Sequence, residues 1–222
     1  MLAKAVVTLD RLTDGRAELA VGAGAFWDAI AGMGGPRRTP AEAVAATAEA
    51  LDLLQHALAA TGRVVSRGAH YPVPGYNPGP PPAHEMRVWV GAQKPRMLEL
   101  IGRAAGGWVC ALSIYMPPEV VPQCQAIIDA AATTARRLPS DVRRLYNVVG
   151  SIGARDGGQG LRGPVELSVE TLTEWATDLG FDTFIFWPED PSERQVRLFA
   201  EEVVPRVLED VNATRSTRAG AF

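Results

Sequence analysis

"VWVGAQKPRMLELIGRAAGGW", Val88 to Trp108, carries the pattern on which the fold rests. An apolar β-branched run reads as a buried strand, passes through Gly91, and meets Pro95 where a helix should begin. Helical spacing follows to Ala105, and the next apolar run opens at Gly107. Helix starts usually carry Ser, Thr, Asp or Asn as the cap, because a side-chain oxygen must take up orphan backbone N–H groups. Here the residue before Pro95 is Lys94, which has no acceptor to offer. Either water or a bound anion completes this helix end.

The same alternation recurs outward from this stretch. Apolar runs at Ala17 to Gly24, Arg87 to Ala92, Gly107 to Leu112, Arg144 to Ser151 and Thr183 to Pro188 read as strands. The helical stretches run from Pro40 to Thr61, Pro95 to Ala105, Pro118 to Leu138, Ser168 to Leu179 and Pro191 to Asp210. Strand alternating with helix predicts an α/β protein on a parallel sheet, and apolar runs without polar alternation fit strands covered on both faces. About five strand-helix units are legible, where a closed (β/α)8 TIM barrel needs eight in roughly 250 residues. The expectation is a TIM-barrel-like but incomplete fold. The chain would be an open barrel, a fragment or the product of an internal start, forming a single domain over 1–210 with a flexible tail over 211–222.

Local signals sharpen some boundaries. "TPAE" gives Thr39 as cap, Pro40 in the first turn and Glu42 reaching back, a capping box. "DPSE", Asp190 to Glu193, reads as the same device, and Gly180 as a left-handed helix stop. The proline- and glycine-rich excursion "RGAHYPVPGYNPGPPPAHE" forbids regular helix and reads as a surface segment with a small hairpin around His70 to Tyr76. Gly153 to Pro164 reads as a mobile loop at the strand ends.

Bulk properties exclude several functions. With 222 residues, 47% hydrophobic and 21% charged, the chain can bury a sizeable core. A formal charge of -3, with arginine pairs scattered, argues against a nucleic-acid surface. No apolar run reaches the length of a membrane span, and Asp10 and Arg11 end the first apolar patch too early for a secretory signal. Cys110 and Cys124 match neither a redox pair nor a zinc knuckle and read as reduced thiols of a cytoplasmic protein. His56, His70 and His84 are scattered, so no metal site is expected. "NAT" at Asn212 reads as a chance glycosylation pattern.

In parallel α/β folds ligands gather at the carboxyl ends of strands. That singles out Gly22, Gly24, Trp27 and Asp28 after the first strand, and Gly91, Ala92, Gln93 and Lys94 after the second, with Arg96 adding charge. Gly22 and Gly24 allow backbone to approach a ligand. Trp27 could flank a planar group, and Asp28 could accept a hydrogen bond from a polar ring or ribityl-like chain, though an acid in a first turn is often only a dipole partner. No nucleophile elbow with Ser, His and Asp is present, which disfavours acyl hydrolysis.

"LDRLTDGRAELAVGAGAFWDAIAGMGG", "PPPAHEMRVWVGAQKPRMLELIGRAAGGW" and "FDTFIFWPEDPSERQVRLFAEEVVPRV" together resemble the luciferase-like monooxygenase superfamily, over Leu9 to about Val207. The resemblance implies a (β/α)8 barrel using FMN or the deazaflavin coenzyme F-420 on a small organic substrate, commonly as a homodimer. It implies that the cofactor phosphate rests on Gly91 to Lys94, with Gly22, Gly24 and Asp28 lining the mouth around the ring. With FMN the family's chemistry is oxygen activation; with deazaflavin it is hydride transfer. Relatives begin with three further strand-helix units. Ala25 stands where some deazaflavin-dependent members carry a carboxylate, and Gly106 where Asp-Gly-Trp is usual, so no catalytic residue is implied. The alternatives are a noncatalytic flavin-binding or partner-binding remnant and a phosphosugar-binding barrel.

Overall fold

A computed structural model describes residues 1–153, 157–158 and 160–219. Helix α1 (Leu2–Leu12) precedes strand β1 (Leu19–Gly22), followed by a short α2 (Trp27–Gly32) and a long α3 (Pro40–Ala59). Then come β2 (Val64–Ser66), β3 (Val73–Tyr76), β4 (Val88–Gly91), α4 (Pro95–Ala104), β5 (Gly107–Leu112), α5 (Val121–Thr134) and β6 (Arg143–Gly150). The chain ends with α6 (Val165–Thr177), β7 (Thr183–Pro188), α7 (Glu193–Arg197) and α8 (Val204–Ala219). A wider π-helical turn over Leu198–Val203 joins the last two helices.

The sheet order is β1-β4-β5-β6-β7, with β1–β4 and β6–β7 paired in parallel. The α/β class and the five-strand count of this sheet agree with the sequence reading, and among the described residues the sheet does not close into a barrel. Both β5 and β7 have the bounds read from the sequence, because continuous apolar runs between turn residues leave little freedom.

Other readings are corrected. The hairpin lies between β2 and β3, so Val64–Ser66 rather than the excursion itself supplies the first strand. Asp190 does not cap α7: the cap position is Ser192, and Asp190 instead accepts a hydrogen bond from the Ser192 hydroxyl at 2.9 Å. Residues 211–219, expected as a tail, continue α8, where Val211 is buried. Part of the Gly153 to Pro164 loop lies outside the described residues; Ile152 and Gly163 form an isolated parallel bridge. Cys110 is buried and Cys124 half-buried, both as free thiols. Among the described residues no helix is long and apolar enough to cross a membrane.

Contacts gather into two compact units. Residues Met1–Trp108 and Ala126–Val142 form the first unit, Val109–Gln125 and Arg143–Phe222 the second. In the second, Tyr146 stacks on Phe181 with ring centroids 4.5 Å apart and donates its hydroxyl to the Met116 carbonyl at 2.5 Å. Burial pushes the Tyr146 hydroxyl pKa upward.

In the first unit, α4 packs an apolar face of Met97, Leu98, Leu100 and Ile101 inward. Its last carbonyls are closed by Arg137, whose guanidinium donates to Gly102 and Ala105 at 2.8 Å each, and by Gln55, which donates to Ala104 at 2.5 Å. Cations and amides at a helix C-terminus satisfy orphan acceptors and complement the dipole. Asp10, fully buried on α1, ties the start of the chain to the approach of β4. Its carboxylate accepts from Ala83 N–H at 2.7 Å, from Ala17 N–H at 3.4 Å, and meets His84 Nδ1 at 2.9 Å.

Burial alone would raise the Asp10 pKa, but the Ala83 N–H, His84 and the Ala17 N–H favour the ionised form, and the net shift is downward from 3.8. A depressed carboxyl contributes stability above its unfolded value and loses it as pH falls through the folded one. Asp10→Asn is therefore expected to melt below the parent at neutral pH. The gap should close as both are acidified below 3.8, read by thermal melts across pH. A gap unchanged at acid pH contradicts this.

Candidate functional site

In the parallel β1–β4 pair, Gly22 and Gly91 are register partners, so the two strands end level and release their loops side by side. After β1 the chain turns at Gly24 (φ +92°), a left-handed conformation that favours glycine. A Cβ there would come within 3.1 Å of both Trp27 and Ile30, so the turn is packed against α2. Gly22 differs: a Cβ would meet no atom of the chain within 4 Å. Neither turn geometry nor internal packing asks for glycine there, so the backbone at Gly22 is open on that side.

After β4, the carbonyl of Ala92 accepts a 2.9 Å hydrogen bond from the indole N–H of fully buried Trp108. This fixes the loop that leads into α4. Lys94 is the cap residue, extended in backbone (φ -99°, ψ 147°), with no side-chain cap and Pro95 beginning the helix. Its carbonyl already accepts from Met97 and Leu98 N–H at 3.0 Å each, so the start of the helix is well formed. Among the described residues, the N–H groups of Gln93, Lys94 and Arg96 find no partner in the chain. Helix α3 solves the same problem internally: Thr39 Oγ1 accepts from Glu42 N–H at 3.3 Å, and Glu42 Oε2 accepts from Thr39 N–H at 2.8 Å. The Thr39 N–H and hydroxyl hold the Glu42 carboxyl below its ordinary pKa.

A cavity of about 620 Å³ brings these pieces together. It is lined by Ala23 and Gly24, Trp27 of α2, Pro40, Ala43 and Val44 of α3, and Lys94 to Met97 of α4. Its volume falls within the range of small-molecule sites. Lys94 and Arg96 are its only ionisable lining groups, and neither makes an ion pair among the described residues. Two free cations beside an uncapped helix start form an anion-binding arrangement, while Trp27 offers a flat apolar wall.

Of the residues singled out from sequence, Gly24, Trp27, Lys94 and Arg96 line this cavity. Gly22 lines a neighbouring one that shares Ala23. Gly91 and Ala92 shape the loop from half-buried positions, and Gln93 is exposed. Asp28 does not join them: its side chain is 95% exposed and is paired with Arg37. The dipole-partner reading fits Asp28, because it lies in the first turn of α2 and points to solvent. Sequence reasoning missed Glu49, which accepts backbone N–H bonds from Ala69, His70 and Tyr71 at 3.0, 2.8 and 3.1 Å. No local signal marks that pairing, since the loop it holds lies about twenty residues away.

A profile described as luciferase-like monooxygenase matches residues 1–156. The chain belongs to the luciferase-like monooxygenase family. No curated protein matches the sequence. Among solved structures, this luciferase-like chain superposes on a coenzyme F-420-dependent secondary alcohol dehydrogenase solved with an F-420–acetone adduct. The TM-score is 0.77 at 15% identity, over 93% of this chain and 74% of that one. The coenzyme F-420-dependent tetrahydromethanopterin reductase from Methanopyrus kandleri gives 0.73 at 17%, over 93% and 78%. A riboflavin lyase solved with modified FMN and riboflavin gives 0.76 at 13%, over 94% and 67%. At such identities these likenesses establish the shared fold.

Proposed function

We propose that this luciferase-like protein is a flavin- or deazaflavin-dependent oxidoreductase that anchors the phosphate of FMN or coenzyme F-420 at the start of α4. One observation carries the reading: at the helix start with Lys94 and Arg96 no side chain of the chain caps the N–H groups, while neighbouring α3 has the Thr39–Glu42 capping box. The residues fit a phosphorylated cofactor. Free N–H groups of Gln93, Lys94 and Arg96 would take phosphate oxygens, the two side chains would balance the charge, and Trp27 would flank the ring.

When bound, a reduced flavin or deazaflavin supplies the electrons, as hydride or for oxygen activation. The chain's share is to hold and orient the cofactor and to present an apolar wall that keeps water away. The substrate is a small organic molecule. A homodimer belongs to the same proposal, supported by the free edge of β1 at the end of the sheet. A noncatalytic flavin-binding remnant is the second reading, favoured by a lining whose only ionisable groups are cations.

Titration with FMN and with F-420, followed by fluorescence quenching, tests the reading. Saturable binding of one of them at micromolar concentration is expected, and no binding of either overturns it. Consumption of the reduced cofactor stimulated by a panel of small organic compounds marks the enzyme; binding with none across the panel marks the remnant.

A further inference from the structure

Beside the cofactor cavity lies a second one, about 460 Å³, and Ala23 is common to both walls. Its lining is apolar, with Val21 from β1, Leu53 and Leu54 from α3 and Val73 from the hairpin. Among the described residues the charged side chain lining it is Arg38, and Met1 also lines it. That guanidinium lies over the Tyr71 ring, 5.4 Å from its centroid, and no carboxylate pairs with it among the described residues. Its chain neighbour Arg37 is paired with Asp28. The nearby acids are already engaged, Glu42 in the α3 capping box and Glu49 with the N–H groups of residues 69–71. Glu49 thereby pins the loop that presents Tyr71. Burial pushes its carboxyl pKa up, the three N–H groups push it further down, and the net shift is downward, so the clamp holds as a carboxylate at neutral pH.

We propose that this cavity binds a small organic carboxylate with an apolar body, the acid group on Arg38 and the body between α3 and the hairpin. Charge complementarity commits the occupant. A half-buried cation over a tyrosine ring, with the Glu42 carboxylate nearby but none within ion-pair distance among the described residues, favours a carboxylate, whereas an amine would meet like charge and a neutral alcohol would leave the cation unpaired. The buried Thr47 hydroxyl is spent on the Ala43 carbonyl at 2.7 Å and does not compete. Because Ala23 separates this cavity from the proposed cofactor site, the bound acid is assigned as the reaction's substrate class. That assignment rests on the function proposed above; binding of the acid does not.

Octanoate, octanol and octylamine, three eight-carbon probes differing in head group, test the proposal by calorimetry on the intact protein. Octanoate is expected to bind tightest. Arg38→Gln should weaken it by roughly tenfold or more, as for loss of a charged hydrogen bond. The same change should leave octanol unaltered, and Arg38→Lys should restore most of the octanoate affinity. Ala50→Phe, which fills the cavity from α3, should abolish binding of octanoate and octanol alike. Octylamine binding as well as octanoate, or octanoate unaffected by Arg38→Gln or by Ala50→Phe, overturns the site. Lys94→Glu should spare octanoate, so octanoate binding that depends on Arg38 without binding of FMN or F-420 would sink the proposed function and leave this site standing. The reverse pattern would sink the carboxylate site alone.

Discussion

Lys94→Glu is expected to weaken cofactor binding by about 100-fold or more while leaving the protein as stable as before, or slightly more so. The two effects have opposite signs for one reason. A glutamate at the cap position of α4 places a carboxylate at the positive end of the helix, beside the N–H groups that Lys94 leaves without a partner. That favours the folded state by about 0.3–1 kcal/mol. The same carboxylate removes one cation, repels the cofactor phosphate and competes for its donors. Each charge-assisted hydrogen bond contributes about 1.5–3 kcal/mol, so losing two gives the 100-fold estimate. Fluorescence titration and a thermal melt on the same preparation check both signs. A purely structural role for Lys94 would lower the melting temperature instead, and unchanged binding would remove the phosphate from this helix end.

The second large effect is on packing. Gly102 is buried on α4, where a Cβ would sit 2.2 Å from the Ile128 carbonyl oxygen, 2.8 Å from Ala131 Cβ and 2.9 Å from Ala132 N. Replacing glycine with alanine inside a helix ordinarily gains up to about 1 kcal/mol. Here the added carbon meets backbone of α5, which cannot rotate away, so the helices must part. Overpacking of this kind costs about 1–3 kcal/mol and more when backbone must move. Gly102→Ala should therefore lose about 2 kcal/mol net, seen as a lower denaturant midpoint. Displacement of α4 should also weaken cofactor binding. Gly32 at the end of α2 is the control: a Cβ there finds open space, and Gly32→Ala should be neutral or gain up to about 1 kcal/mol. Equal stability of Gly102→Ala and the parent would show that the α4–α5 contact is looser than the distances imply.

The sequence made most of the sheet readable because its strands are short unbroken apolar runs between turn residues, and periodicity reports such local patterns directly. The Thr39–Glu42 capping box was equally legible, its partners being three residues apart. The uncapped start of α4 was legible as an absence, Lys94 standing where an acceptor is usual. What escaped was set by contacts distant in sequence. Asp10 bonds Ala83, Glu49 clamps the loop before β3, and Arg37 draws Asp28 out to solvent; nothing in the local pattern of either partner specifies the other. Helix α1 is not legible in the same way, because its apolar residues read as a short patch ended by Asp10 and Arg11. At Asp190 the pattern fitted a cap, but the helix starts three residues later at Glu193 and Ser192 takes the cap position.

Under the proposed function the start of α4 holds the cofactor's phosphate. A crystal structure of the protein with whichever of FMN or F-420 binds is its most direct test. Phosphate oxygens within hydrogen-bond distance of the Lys94 and Arg96 amide nitrogens are the expected result. A phosphate seated away from this helix start, with those amides still facing solvent, would contradict it.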